Sequence, residues 1–348
     1  MRVQPEEKVT PPFYSYRQFM IDRYGGPLHR VPIDPGFGCP HRGPDGKGGC
    51  TFCPPDGSRA SYIKADSLEE QVKQGLAFAR ARYGAKRFLA YIQAFTGTFA
   101  PESRQRELYL RLLKAFPFVA VSIGTRPDCL PEATLDLLCD LRQRLDVWVE
   151  LGIQTVHDAT LRRIRRGHDW AAGRGAILRL QERGIGTAVH VILGLPGETP
   201  EHFSRTADEL AALPVDAVKI HNLHVVRGAT LAAHFEKEAF AVYDEHAYAE
   251  ILIDFIRRLP PNVAIMRINT DTPPQRLIAP VWKMSKGQFR QFVIGEMNRR
   301  GVRQGDLRRA NPFTCGCSWK GHHSVAQQLP HVPQQLLQLR RQEGICLQ

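Results

Sequence analysis

Between about residues 67 and 270, short apolar runs rich in β-branched and aromatic residues alternate with longer amphipathic stretches. The apolar runs are FLAYIQAF (88–95), FVAVSIGT (118–125), VWVELGIQ (147–154), TAVHVILG (187–194), AVKIHNLHVV (217–226) and VAIMRI (263–268). Their near-continuous hydrophobicity predicts strands buried on both faces, as in a parallel sheet covered by helices. The amphipathic stretches at 67–83, 102–115, 131–144, 170–183, 200–212 and 244–258 predict those helices. Asp66-Ser67 ahead of Glu69 and Glu70, and Pro200-Glu201 after GLPGET, supply first-turn chemistry for two of them. A βα unit repeated about six times closes either as an open doubly wound sheet or as a barrel, and periodicity alone does not choose. In both, the chemistry sits in the loops after the strands. The first 28 residues read as an irregular, proline-marked lead-in, 29–270 as the core, and 271–348 as a basic extension whose pattern degrades beyond about residue 310.

Composition narrows the class. A chain of 348 residues with 43% hydrophobic and 9% aromatic content can bury a large core and lacks the signature of disorder. The start, MRVQPEEKVTPP, has no apolar segment of the kind a secretory signal needs, and no later run is long enough to span a bilayer. A cytoplasmic protein with no membrane partner is expected. The formal charge is +12, and residues 286–348 hold ten Lys/Arg against Glu296, Asp306 and Glu343, a net of +7. That end is either a polyanion surface or solvated charge without a partner.

Three of the eight cysteines fall within 15 residues, in DPGFGCPHRGPDGKGGCTFCPPDGS, as Cys39, Cys50 and Cys53. In a cytosolic chain this points to metal ligation rather than disulfides. The Cys-x2-Cys pair puts two thiolates within reach of one centre, and the glycine-rich insert lets the third come round. Zinc or an electron-transfer cluster wants a fourth ligand, for which His41 is available; three thiolates alone leave one iron open.

The segment resembles the radical S-adenosylmethionine signature with a lengthened first spacing and an aromatic residue, Phe52, before the last cysteine. The succession VPIDPGFGCP, GGCTFC, IQAFTGTFAP, VSIGTRPDCLP, VWVELGIQTVHDATLRRIRRGHD, HVILGLPGET, VKIHNLHVV, LPPNVAIMRI and LIAPVW, over about residues 28–300, is similar to a bacterial family of such enzymes. That family is related to the catalytic subunit of Elongator and to oxygen-independent coproporphyrinogen oxidase. The resemblance implies an α/β fold, an incomplete (β/α)6 TIM-like barrel with a C-terminal extension. It implies a 4Fe–4S cluster on Cys39, Cys50 and Cys53. The open iron would chelate S-adenosylmethionine, whose reductive cleavage yields a 5′-deoxyadenosyl radical.

The resemblance also implies cofactor contacts. Phe52 would pack beside the cluster. Gln93, with Thr96-Gly97-Thr98, would hold the methionine amino group, and Ser122, Thr125 and Arg126 its carboxylate, with Arg126 placed for a bidentate pair. The backbone of HVILGLPGET would bracket adenine, with Gly194, Pro196 and Gly197 shaping its turn, and Glu198 reads as a cap of the next helix. Glu150 and Gln154, at i and i+4 on one strand, face the same side, and an inward carboxylate in so apolar a strand calls for a ligand ribose or ammonium. The RRIRRGH segment (162–168) matches the family or forms an exposed basic face, and His190, His221 and His224 occupy inward-capable positions.

Cys315, Cys317, His322 and His323 lie outside the resemblance and are candidates for a second metal site; Cys129, Cys139 and Cys346 read as plain thiols. Three functions follow. The first is radical modification of tRNA at the wobble uridine, with a ferredoxin- or flavodoxin-type electron donor. The second applies the same chemistry to a small metabolite such as a tetrapyrrole. The third is a non-enzymatic zinc-binding nucleic-acid module.

Overall fold

The computed structural model describes residues 11–308 apart from 44–46, 58, 61, 62, 64, 238, 239 and 241. Cys315, Cys317, His322, His323 and Cys346 therefore lie outside the described residues, as do Arg309, Lys320, Arg340 and Arg341, four of the ten basic residues of the C-terminal end.

In chain order the elements are α1 (Tyr16–Tyr24), β1 (His29–Ile33), α2 (Leu68–Tyr83), β2 (Phe88–Ile92), α3 (Glu102–Ala115), β3 (Phe118–Thr125), α4 (Glu132–Arg142), β4 (Asp146–Gln154), α5 (Asp158–Arg163) and α6 (Trp170–Glu182). There follow β5 (Gly186–Leu193), α7 (Pro200–Ala211), β6 (Ala217–Asn222), β7 (Val225–Val226), α8 (Thr230–Lys237), α9 (Glu245–Arg258), β8 (Ala264–Arg267), β9 (Leu277–Ala279) and α10 (Lys286–Arg299). Seven strands run parallel in the order β1-β2-β3-β4-β5-β6-β8 and curl into a half-barrel, with β1 and β8 as its edges. The incomplete TIM-like barrel expected from the sequence is the fold found. β7 and β9 form a separate antiparallel ribbon.

All six strands foreseen from the apolar runs are present, and a seventh, β1, emerges from a stretch without a strand-like signature. Pro32 sits in β1 because an edge strand pairs on one side only. The outward side chains of the sheet, such as Val121, Val149, Val189 and Val218, pack beneath the helices in one continuous core. α10 belongs to that core: Phe289, Val293 and Met297 are fully buried, and Phe289 stacks in tilted contact with Trp282 and with Tyr248 of α9.

Inside the barrel the layers are different. Leu89, Tyr91, Ala120, Trp148, Ala188, Ala217 and Ala264 form a floor onto which α1 sets Phe19, Met20 and Tyr24. Each such side chain contributes about 1.5–3 kcal/mol on burial. Arg23 and Tyr24 lock α1 in place on Asp146, at 2.6 and 2.5 Å. α1 thus plugs the end of the barrel where the strands begin. The end where they finish stays open.

Candidate functional site

At the open end lies a cavity of about 1460 Å³, larger than the roughly 300–1,000 Å³ usual for one small ligand. Cys39, Cys50 and Cys53, all free thiols, line it together. The loop that carries them is tied down by its own backbone and by Arg42, which donates to the carbonyls of Pro54 (2.6 Å) and Pro55 (2.9 Å) and lies over the Phe95 ring. Thr51 links the loop across the site, donating to Ile164 O and accepting from Leu231 N.

Backbone strain concentrates here. Among the described residues four other than glycine have positive φ: Ala94 (80°), Phe95 (54°), Gln154 (74°) and Arg165 (53°). The first three line the cavity at the ends of β2 and β4, and conformations of this kind cost of order 1–3 kcal/mol each. Arg165 precedes Arg166, the residue of RRIRRGH that reaches the cysteines. Arg166 is buried, donates to Cys50 Sγ at 3.4 Å, and grips the Gly152 carbonyl through Nε and Nη2 (3.1 and 2.7 Å). Gly167 follows in the left-handed region, φ 75°, with the His41 ring where a Cβ would stand, 1.5 Å from its Cε1. His41 in turn lies 2.9 Å from Arg126 Nη2. The sequence left this segment between a family match and an exposed basic face: Arg162, Arg163 and Arg165 are exposed, while Arg166 turns inward and holds the cysteine loop.

The other residues singled out from the sequence distribute as follows. Phe52 lines the cavity while packing against the apolar cluster that includes Leu161, Ile164 and Leu223. Gln93 and Gln154 line it too, and among the described residues neither side-chain amide has a hydrogen-bond partner. Thr125 bonds to Thr98 at 2.6 Å. The Nε–Nη2 edge of Arg126 is committed to Asp128 (3.0 and 2.8 Å), so only Nη1, buried and without a partner, remains for a ligand. Ser122 and Gly194 do not reach the main cavity; Ser122 bonds to Glu150, and Gly194 lines a small separate pocket with Tyr243. Glu198 does not cap α7, whose cap is Thr199 with His202; it accepts instead from Thr155 at 2.5 Å.

Glu150 is the hub of a polar layer between floor and cavity. Its carboxylate receives Ser122 (2.7 Å), Tyr91 (3.0 Å), Arg30 (2.8 Å), His190 (2.8 Å) and Lys219 (3.2 Å). Burial alone would raise its pKa, but Arg30, Lys219 and His190 outweigh it and hold the group well below the usual carboxylate range. Burial, with Arg30 and Arg267 nearby, brings Lys219 down to about 7. Burial and the Lys219 charge push His190 down to about 4, so its ring is neutral. His224 bonds to Thr272 (2.8 Å), and the buried Nε2 of His221 has no partner. Arg30, Lys219 and Tyr91 were not foreseen; the buried lysine in AVKIHN was the available signal.

Residues 33–210 match the model of the radical S-adenosylmethionine superfamily, and residues 215–299 that of its C-terminal domain. The chain belongs to the radical S-adenosylmethionine superfamily. It is an enzyme whose cofactors are a 4Fe–4S cluster and S-adenosylmethionine. It is similar to Protein YhcC of Escherichia coli, 37% identical over 82% of this chain and 93% of that one. A tRNA uridine(34) acetyltransferase of Methanocaldococcus infernus is 28% identical over 53% of this chain and 34% of its own. The fold matches the archaeal Methanocaldococcus infernus Elp3 with a TM-score of 0.63 at 21% identity, covering 80% of this chain and 64% of that one.

The residues present fit both cofactors. Three free thiols line one cavity, the donor set a cluster with one open iron takes. Arg126, Gln93 and Gln154 line the cavity and bring to it polar groups without a hydrogen-bond partner among the described residues, as a charged, polar nucleotide would need. No helix among the described residues is long and apolar enough to cross a membrane.

Proposed function

We propose that Cys39, Cys50 and Cys53 ligate the cluster, that S-adenosylmethionine lies against Phe52, Gln93, Thr125, Arg126 and Gln154, and that the enzyme abstracts hydrogen from a tRNA at its wobble uridine. The observation that carries the reading is the convergence of three free thiols, strained strand ends and unpartnered polar groups on one oversized cavity. When bound and reduced, the cofactor pair supplies a carbon radical that takes hydrogen from substrate. The chain's own part is to hold and shield. Arg166 orients Cys50 by donating to its sulfur, and Arg42 fixes the loop around Cys53. Arg126 Nη1 and the amides of Gln93 and Gln154 orient the nucleotide's polar groups, while Phe52, Ile192 and Leu223 exclude water. Ser122 and Glu150 support this surface from beneath, and Gly194 shapes the turn after β5.

The substrate reading is supported by the partial similarity to a tRNA uridine(34) acetyltransferase and by the net charge of +12. It places the enzyme in the cytoplasm with a ferredoxin- or flavodoxin-type donor. Anaerobic iron and sulfide analysis with assay of 5′-deoxyadenosine tests the chemistry: Cys50→Ala is expected to lose both, and retained production of 5′-deoxyadenosine refutes the assignment. Modified nucleosides in tRNA from cells with and without the protein test the substrate. Identical profiles would move the reading to a small metabolite.

A further inference from the structure

The inner wall opposite the cysteine loop is cationic beyond what its carboxylate can neutralise. Across three neighbouring strands His190, Lys219 and Arg267 are paired in register, one row on β5, β6 and β8. His221 stands two residues beyond Lys219, on the same inward face of β6 and nearer the mouth. All four line the cavity. Glu150 serves Arg30, His190 and Lys219. Arg267 is left at a distance from it: among the described residues its guanidinium forms no hydrogen bond or ion pair, and Glu150 and Asp271 act on it only at longer range. The other carboxylate of this wall, Asp271, pairs with Lys286 at 3.2 Å instead. The buried Nε2 of His221 is also without a partner. Arg267 lies close enough to disfavour a proton on both Lys219 and His221. A guanidinium is not neutralised by losing its proton, so its fork of donors waits for an acceptor from outside the chain.

We propose that Arg267, Lys219 and His221 form the receiving wall for an anionic oxygen group, a carboxylate or a phosphate, on the molecule attacked in the barrel. Arg267 gives the planar two-donor contact, Lys219 a neighbouring point charge, and His221 a further hydrogen bond. The wall rests on the reading of the cavity as the reaction chamber, and it adds the chemical class of the group bound there. A wobble nucleotide would present phosphodiester oxygens, a small metabolite carboxylates.

The test is calorimetric titration of the anaerobic holoenzyme, saturated with S-adenosylmethionine, with inorganic phosphate and separately with succinate. Saturable binding of one of them is expected, weakened roughly tenfold or more in Arg267→Gln, as loss of a charge-assisted contact implies, and partly restored in Arg267→Lys. The tighter ligand identifies the group, phosphate or carboxylate. If Arg267→Gln does not fold, His221→Gln carries the same expectation of weakened binding. The proposal is overturned if neither anion binds saturably, if the substitutions leave affinity unchanged, or if S-adenosylmethionine displaces the anion, which would make the wall part of the cofactor's site. Wild-type holoenzyme that forms 5′-deoxyadenosine but binds neither anion sinks the wall alone; wild-type protein that binds an anion but forms no 5′-deoxyadenosine sinks the radical reading alone.

Discussion

Glu198 gives the most quantitative test of how the turn after β5 supports the site. It is 8% exposed, and burial raises its pKa to about 7 against the hydrogen bonds of Thr155 and Thr160. Thr155 follows the strained Gln154, so this carboxyl anchors the end of β4 beside the cavity. A folded-state pKa above the unfolded one means that the contribution to stability is complete below about pH 4 and is lost as pH rises through 7. The shift from 4.5 to about 7 corresponds to a change of about 2.5 kcal/mol between pH 5 and pH 8 at 1.36 kcal/mol per unit. Glu198→Gln keeps an acceptor for Thr155 and cannot ionise. In urea titrations under anaerobic conditions, the variant is therefore expected to gain about 2.5 kcal/mol on wild type between those pH values, roughly 0.8 M in midpoint at a slope of ~3 kcal/mol/M. A difference between the two proteins that stays flat from pH 5 to pH 8 would show that Glu198 is ionised throughout and refute the reasoning.

Two further substitutions probe the neighbouring contacts. Glu150→Gln leaves Arg30 and Lys219 buried without their anion and is expected to cost about 3–5 kcal/mol in urea unfolding, with part recovered when Lys219→Met is added; no recovery would mean that Lys219 does not depend on Glu150. Gly167→Ala places a Cβ where the His41 ring sits, at positive φ, and is expected to cost at least about 1–3 kcal/mol and to lower the iron retained after anaerobic purification, which an unchanged iron content would contradict.

The sequence made the sheet legible because a doubly covered parallel strand has to be apolar on both faces, as VWVELGIQ and TAVHVILG are. β1 was hidden by its position. As an edge strand it tolerates Pro32, and HRVPI carries neither the length nor the alternation of a strand. α1 was hidden because its buried residues, Phe19, Met20 and Tyr24, face the barrel floor rather than the sheet's outer surface. α10 has a basic composition that drew attention to charge, while Phe289, Val293 and Met297 join the main core. In the site, the cysteine cluster was legible from local spacing. The grip of Arg166 on Cys50 spans 116 residues of sequence, and the fit of His41 against Gly167 spans a similar distance. No local pattern encodes such contacts. The same holds for Glu150: an inward carboxylate was foreseen and a ligand inferred for it, but its partners come from five other strands.

That network also answers a mechanical question. A buried ionic layer gives no more stability than well-packed apolar side chains of the same volume and often less, so its place in the fold needs another reason. A closed barrel ties its first and last strands together with backbone hydrogen bonds; here β1 and β8 are edges. Arg30 on β1 and Lys219 on β6 reach across the lumen to Glu150 on β4, and both also contact the Tyr91 ring of β2. The charges therefore connect strands on opposite sides of the lumen, where the missing pairing would otherwise let them drift. An apolar filling would provide comparable energy without a fixed direction, whereas each hydrogen bond to Glu150 has one. The half-barrel can stay open along one side while the strand ends beneath the cysteine loop keep fixed positions around the cavity.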